Sequence, residues 1–424
     1  MSNAKSGTLV AFIYVTTLFF AWGFVTSTID PLVASVRDVF KLSFAEAMLT
    51  QFAWFIAYGV ASLPAAAILS KLGYPNAIIA ALATMVAGCL IIPLATSMDF
   101  YPGILLGLFV IACGVTLLQV AANPLSAALG SPERSHFRLT LSQTFNSFGT
   151  FIGPFIGASI MLHGGVFNGA APDAAARAQS LHSIDVNFLM VGAFFFAVAL
   201  FIWSARKRID AAAPPHEKAA SPFLAFKSGW AVFGAFAIFV YVGSEVAIGS
   251  LMTNFLHQKN ILDIPLLEAG RMVSLYWMGA MIGRFLGSLA FFVKTPAGVL
   301  LSIAAIIAAG MCLTVSQSQG VVAAYVALSI GFFNSIMFPA IFTLTLERST
   351  APTSATSGLL CMAIIGGAAL PFIAGKIVDS AGVFGPAFFV PMLGYIGVAA
   401  FAISAARTKP VVGADAPVAA AAGH

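Results

Sequence analysis

Charge is what this 424-residue chain has least of: 8% of its residues are Asp, Glu, Lys or Arg, against 60% that are hydrophobic. An ordinary soluble chain is about a quarter charged. A water-facing surface cannot be covered from so small a supply, so a soluble globular domain is excluded. A net charge of +5 gives no basis for nucleic-acid binding. Cysteine is scarce as well. Cys89, Cys113, Cys312 and Cys361 fall in apolar stretches without metal-ligand spacing, which reads as small packing residues rather than a disulfide or metal site. The Walker A lysine loop is lacking, so direct ATP drive is not expected, and so is His-Glu-x-x-His. His136 is placed in an inner loop and His163, His182 and His257 outside, all read as solvated. No catalytic cluster remains, and the chain is not expected to be an enzyme.

Apolar length is abundant. A spanning helix needs roughly 20 apolar residues. Twelve such stretches can be counted, at about 9–36, 44–70, 74–98, 101–128, 140–165, 185–206, 223–257, 266–292, 296–315, 320–348, 353–379 and 383–406. The expected fold is an all-α membrane protein of twelve transmembrane helices. With both termini cytoplasmic, fourteen of the 20 Lys and Arg fall inside, and six, Arg37, Lys41, Arg177, Lys259, Arg271 and Lys376, fall outside. Positive residues are retained on the cytoplasmic side, so the bias supports that count and orientation. The first apolar run is too long for a cleaved leader and reads as a retained helix.

A basic, Pro-containing break, Arg206-Lys-Arg-Ile-Asp-Ala-Ala-Ala-Pro-Pro-His-Glu-Lys218, has six stretches on each side. It divides the chain into a six-helix half over 1–206, a cytoplasmic linker over 207–222 and a second six-helix half over 223–410. A second polar break, roughly Phe167 to Asp185, falls outside. The Ala/Gly-rich tail 411–424 is expected to be disordered.

Against this background a few polar residues stand out. Asp30 lies in Trp22-Gly-Phe-Val-Thr-Ser-Thr-Ile-Asp30-Pro31. A carboxylate within hydrocarbon is expensive and marks function by default. Pro31 cannot donate to residue i−4, so the Ser27 carbonyl loses its helical partner. A carboxylate and a freed carbonyl one turn apart make a proton or cation site. Glu245, between Gly243 and Gly249, reads equally as a second such acid or as a structural hydrogen bond between helices. Gln119 and Asn123 share a helix face, as do Gln143 and Asn146. Amides donate and accept, which suits a neutral polyhydroxylated ligand. Each amide singly reads as well as interhelical glue, but two adjacent helices with an amide pair each favour a polar cavity. Asn334, with Pro339 following, matches Asn123-Pro124 in the other half. Trp22, Trp54, Tyr58, Tyr276 and Trp277 lie within spans, where aromatic faces can stack on sugar rings. For any single one, packing is the better reading. Arg284, near the inner end of its helix beside Gly283, reads as a gate or loop contact.

Taken together these residues resemble a known family. Twelve helices in two halves resemble the major facilitator superfamily. Asp30 at the end of helix 1, Gln119-Val-Ala-Ala-Asn-Pro124 and Phe137-Arg-Leu-Thr-Leu-Ser-Gln143-Thr-Phe-Asn146-Ser-Phe-Gly149 resemble the fucose:proton symporter family, in its glucose/galactose branch. Tyr241-Val-Gly-Ser-Glu245-Val-Ala-Ile-Gly-Ser250, Ile364-Ile-Gly-Gly367 and Gly375-Lys-Ile-Val-Asp379 fit that branch's helices 7 and 11. The resemblance implies uptake of a neutral monosaccharide of glucose/galactose, fucose or N-acetylglucosamine type, coupled to H+ or Na+, by alternating access. It implies a bacterial-type inner membrane, no cofactor beyond the coupling ion, and function as a monomer. Asp30 matches the family's coupling aspartate. The chain departs from the pattern at Gln119, where the fucose branch has a glutamate, and at Ile29, where an asparagine is usual. The basic loop between helices 2 and 3 survives as Ser70-Lys71-Leu-Gly73-Tyr74 without its acidic residue. Two other functions compete. An exporter of drugs or metabolites on the same fold would want a wide, greasy cavity with few paired amides. A non-transporting sugar sensor would be expected to carry a long signalling segment.

Overall fold

The computed structural model describes residues 2–42, 46, 49–162, 174–215 and 220–411, without the side chains of 2–6, 30–31, 33–34, 155, 158 and 266–267. Among the described residues there is no strand. The first helices are α1 (Ser2–Ser27), α2 (Ile29–Phe40), α3 (Leu49–Ser97), α4 (Tyr101–Ala128), α5 (Ser135–Met161) and α6 (Ala174–Ala212). Then follow α7 (Gly229–His257), α8 (Leu266–Phe292), α9 (Ala297–Gln317), α10 (Gly320–Asn334) and α11 (Met337–Leu346). The last are α12 (Thr353–Met362), α13 (Gly366–Ala381) and α14 (Phe389–Arg407).

Ten described segments are long and apolar enough to cross a membrane. One of them, α3, is two such helices joined at Gly73, whose φ of 72° and ψ of 170° leave the helical region. A side chain at that φ would be strained, which fits glycine to the junction. Helix α5, which carries Arg138, Gln143 and Asn146, is outside the ten but is 27 residues long. Counting α5 and both parts of α3 gives twelve crossings among the described residues, as the apolar runs predict. Large apolar side chains on the outside, such as Leu94 (63% exposed), Phe372 (67%) and Leu393 (63%), suit lipid rather than water.

Proline sets the interruptions. The first apolar stretch is two helices, broken at Thr28, three residues before Pro31. The tenth is α10 and α11, broken at Ser335 and Ile336, with Pro339 four residues beyond Ser335. In the eleventh, a 3-10 turn over Ala363–Ile365 separates α12 from α13, ahead of Gly366, Gly367 and Pro371.

Helix α6 reaches into both of the polar breaks on either side of its span. The break expected at 167–185 is helical from Ala174 onward, because Ala-Ala-Ala-Arg-Ala-Gln has high helix propensity. The same helix runs past Arg206 to Ala212 and stops ahead of Pro214 and Pro215. Residues 216–219 of the expected linker, 412–424 of the expected tail, and His163 lie outside the described residues.

The chain forms two compact units, Met1–Ala122 with Phe145–Ala212, and Asn123–Thr144 with Ala213–His424. In the first, α1 and α5 approach closely: a Cβ on Gly23 would lie 2.2 Å from the Asn146 carbonyl oxygen, and one on Gly153 2.0 Å from Ser27 Oγ. Small residues are how membrane helices gain such contact. In the second, α7 meets α13 at Gly243 and Gly366, and a Cβ on Gly283 of α8 would lie 2.3 Å from the Phe332 carbonyl of α10. The four cysteines are free, with Cys89, Cys312 and Cys361 buried.

Candidate functional site

In the first unit, the buried Gln119 of α4 donates from Nε2 to the Tyr58 hydroxyl of α3 at 2.8 Å. Each residue is 3–7% exposed, so this polar pair is carried within the apolar unit. Asn146 of α5 donates from Nδ2 to the Phe19 carbonyl of α1 at 3.1 Å. Part of its capacity therefore holds α5 against α1. Trp22 is buried one turn along α1, its ring centroid 4.2 Å from that of Phe19. The backbone of Asp30 lies in α2, and its side chain lies outside the described residues.

In the second unit, Gln143 of α5 donates from Nε2 to Asn123 Oδ1 of α4 at 3.2 Å, with both side chains buried. Asn123 Nδ2 is buried, faces the Cys361 thiol and closes no hydrogen bond of normal geometry. A donor left unmet in a dry site costs about 1–3 kcal/mol, so it invites an acceptor. One turn on, the hydroxyls of Ser126 and Ser142 are 2.8 Å apart. Gln143 and Asn146, three apart on one helix, thus take partners on different helices.

A larger polar set, drawn from α7, α8, α10 and α14, is also internal to the second unit. Asn334, at the end of α10, donates from Nδ2 to the hydroxyls of Tyr276 (2.7 Å) and Tyr395 (3.2 Å). Tyr276 donates onward to the Glu245 carbonyl at 3.2 Å. Asn334 Oδ1 has no partner. One turn before Glu245 on α7, the Tyr241 hydroxyl faces the Glu245 carboxylate but closes no hydrogen bond of normal geometry. Arg284 of α8 brings Nη2 to 4.0 Å from Glu245 Oε1. Its Nε donates to the Ser335 carbonyl at 2.8 Å, and its Nη1 to the Gln143 carbonyl at 3.4 Å. Trp277 sits outside this set, 37% exposed, with its ring edge against Gly249 of α7.

Asn334 and Glu245, singled out from the sequence, thus share one cluster with Arg284, read there as a gate or loop contact, with Tyr276, read there as an aromatic face, and with Tyr241 and Tyr395, to which that reading gave no role. Arg284 is buried against α10 rather than at a loop. Tyr241, Tyr276 and Tyr395 are each at most 1% exposed. A tyrosine within an apolar span carries a hydroxyl that must find a partner when buried, and that was the signal available. His136 is a correction. It is half-buried and bonded through Nε2 to Glu347 at 3.0 Å and through Nδ1 to Thr343, rather than solvated. A bonding partner over 200 positions away in sequence is invisible to a local reading. His182 and His257 are exposed.

The family model described as the Major Facilitator Superfamily matches residues 11–360. The glucose/galactose transporter of Brucella abortus is 38% identical over 401 residues, 93% of each chain. The L-fucose-proton symporter of Escherichia coli is 30% identical over 414 residues, 93% of this chain and 92% of that one. The crystal structure of the Escherichia coli fucose:proton symporter superposes with a TM-score of 0.83 at 26% identity, covering 95% of this chain and 100% of that one.

Proposed function

The chain belongs to the major facilitator superfamily, and from that footing we propose that it is a secondary active transporter taking up a neutral monosaccharide by cation-coupled symport. Its relatives named for glucose/galactose and for L-fucose with a proton support that class of substrate and of drive. The observation that carries the reading to this chain's own residues is the Gln143–Asn123 pair, two uncharged amides buried in membrane-spanning helices with one donor unmet. A neutral amide recognises a hydroxyl without the cost of burying a charge. Gln119 with Tyr58, Asn146 and Asn334 are further sugar contacts in this reading, and Trp22 and Trp277 supply apolar faces.

Asp30 and Glu245 are the coupling acids. Asp30 sits where Pro31 breaks the first span and withdraws the partner of the Ser27 carbonyl. Gln119 cannot titrate, so the proton is carried without a helix-4 acid. The protein is a multi-pass inner-membrane protein with both termini cytoplasmic, a reading supported by the Lys and Arg distribution. It works as a monomer in two six-helix halves, without a resident cofactor. The test is uptake of labelled glucose, galactose, fucose and N-acetylglucosamine by purified protein in liposomes, under proton and sodium gradients imposed separately. Accumulation of one of these sugars on a proton gradient is expected. Uptake that requires sodium and survives collapse of the pH gradient would replace the proton with sodium. No accumulation of any of the four on either gradient would overturn the reading.

A further inference from the structure

In the first unit the part of α3 beyond Gly73 packs antiparallel to α6, and their register can be followed along the contact. Toward one end Thr96 donates to the Asp185 carboxylate. Two turns along, a Cβ on Gly192 would lie 3.1 Å from that of Cys89. Past this close approach the two helices leave an outward-facing apolar groove of about 350 Å³. In the same register Val86 is level with Phe196, Ala83 with Ala199 and Ile79 with Trp203, all six on its walls. Two alanines at one level hollow it, between larger side chains on either side. From Ile79 to Val86 it runs about 10 Å, against about 15 Å for the hydrocarbon of one leaflet. It has the length and polarity of a slot for part of an acyl chain.

The mouth of the groove is cationic. Phe196, Ala199 and Trp203 follow at helical spacing along α6, and the same stripe continues to Arg206 and Lys207. The Arg206 guanidinium lies over the Trp203 ring, 4.0 Å from its centroid, and Nη1 donates to the Trp203 carbonyl at 3.0 Å. It is thus folded back over the groove instead of reaching into water. Its other nitrogens, and the exposed Lys207 ammonium, close no hydrogen bond or ion pair among the described residues. Arg208 adds a third cation, Asp210 is the one acid in the last two turns of α6, and α3 carries no acid at all.

We propose that the groove between α3 and α6 binds one anionic phospholipid, with an acyl chain over Ala83 and Ala199 and the phosphodiester on Arg206 and Lys207. Lipid of some kind meets every outward face of a membrane protein. This face adds two unpaired cations at the end of an apolar slot, which is how basic pockets between helices select anionic head groups. A guanidinium presents paired N–H donors to phosphate oxygens, and tryptophan suits the depth of the head groups. A zwitterionic lipid brings a cation of its own to the same place. The charges also work against a second copy of the chain. An isologous contact about an axis along the membrane normal sets residues of equal depth together, so Arg206 and Lys207 would meet their own images. The site needs only the membrane-spanning fold, and on the orientation proposed above it opens to the cytoplasmic leaflet.

The test titrates the purified, delipidated full chain with phosphatidylglycerol or with phosphatidylcholine of the same acyl chains, and counts bound lipid by native mass spectrometry. The first phosphatidylglycerol is expected to bind about tenfold tighter or more, since each cation at an anionic head group contributes roughly fivefold. Rising ionic strength should shrink that preference. Arg206→Gln with Lys207→Gln should abolish it. Ala83→Leu leaves both cations and fills the slot, so it should weaken phosphatidylglycerol binding several-fold. Should the doubly neutral variant fail to fold, Lys207→Gln alone and the wild-type salt series decide, and a preference that neither reduces overturns the proposal. Equal binding of the two lipids by the wild type overturns it, as does a preference that survives loss of both cations. Undiminished binding in Ala83→Leu removes the groove from the site and overturns it as well. A lipid-free dimer that Ala83→Leu dissolves would give the groove to a second copy, against the proposal. No sugar or gradient enters the measurement, so a failure of the transport reading leaves its outcome untouched.

Discussion

Glu347 Oε1 lies 3.0 Å from His136 Nε2, so the residue that follows α11 is tied to the first turn of α5, within one compact unit. Ser135 Oγ donates to the same carboxylate oxygen at 3.2 Å, and Arg348 Nη1 to the other at 3.1 Å. The other ring nitrogen of His136 bonds Thr343, and the ring packs against Phe291 at a centroid distance of 5.7 Å. The backbone joins in as well, since Val411 N–H donates to the Glu347 carbonyl at 2.9 Å. This junction lies just past the membrane-spanning segment that ends at Leu346.

It should make stability depend on acid. Burial works against the charged form of Glu347, but the hydrogen bond from His136 and the nearby His136 and Arg348 outweigh it and hold the carboxyl below its ordinary range. A carboxyl lowered in the folded state contributes stability that is present above its unfolded value, about pH 4. That contribution is lost as the pH falls through the folded value. Glu347→Gln is therefore expected to melt below the wild type at neutral pH in detergent, with the gap closing on acidification into the carboxylate range. A gap that stays constant from neutral pH to well below about pH 4 would show that the charge of Glu347 contributes nothing.

Arg138 closes the end of α4. Its Nε donates to the Ser126 carbonyl at 3.2 Å, Nη1 to that of Ser131 at 2.8 Å, and Nη2 to that of Ala127. Helix carbonyls at a C-terminus have no intrahelical partner. Arg138→Ala would strand them in a buried place, at a cost of about 1.5–3 kcal/mol, the range for bonds to a charged group. Arg138→Lys should recover little, because a point charge on a flexible stem cannot serve three carbonyls at once. Gly130→Ala should destabilise too. Its φ of 131° excludes a side chain, and a Cβ there would lie 2.9 Å from Arg138 Nη1. Thermal unfolding of the three variants checks the order, and a melting temperature in Arg138→Ala equal to the wild type would refute the capping role.

The membrane architecture could be read from the chain because it rests on local quantities. Apolar run length fixes the spans, and Pro31 marks the carbonyl at which the first one breaks. The polar interior was only half readable. Spacing puts Gln143 and Asn146 on one helix face, but it cannot say that one turns to Asn123 and the other to the Phe19 carbonyl. Those partners are set by which helices pack together. The same limit hid the meeting of Tyr276 and Tyr395 at Asn334. It hid His136 as well, whose solvated look in sequence came from its neighbours Ser135 and Arg134. Helix propensity, on the other hand, was on the page at Ala174–Gln179 and was overruled by polarity.

Asp30 is expected to couple sugar to the cation. It is the one carboxylate deep in the first half of the sequence, and Pro31 breaks the helix beside it. Asp30→Asn keeps the size and removes the titration. Gradient-driven accumulation should fall to the equilibrium level while part of the gradient-free sugar exchange remains. Normal accumulation in this variant would remove Asp30 from the coupling scheme.

Gln119 and Gln143 separate sugar recognition from helix packing, because each has a different neighbour. Gln119 Nε2 is already given to Tyr58 at 2.8 Å, which leaves its carbonyl oxygen for a ligand hydroxyl. Gln143 Nε2 is given to Asn123, whose own Nδ2 is unmet. A neutral hydrogen bond contributes about 1 kcal/mol net, close to the 1.4 kcal/mol that makes a factor of ten. Gln119→Ala and Gln143→Ala should thus each weaken sugar binding by several-fold to roughly tenfold, in a protein that still folds. Tyr58→Phe should act through Gln119: it frees the amide to turn and should weaken binding less than Gln119→Ala does. Combined with Gln119→Ala it should add little, since neighbours that share one interaction are not additive. Sugar affinity measured by tryptophan fluorescence or by counterflow, alongside thermal stability, reads both effects. If Gln119→Ala and Gln143→Ala bind sugar as the wild type does but melt earlier, these amides hold helices together and the sugar contacts lie elsewhere.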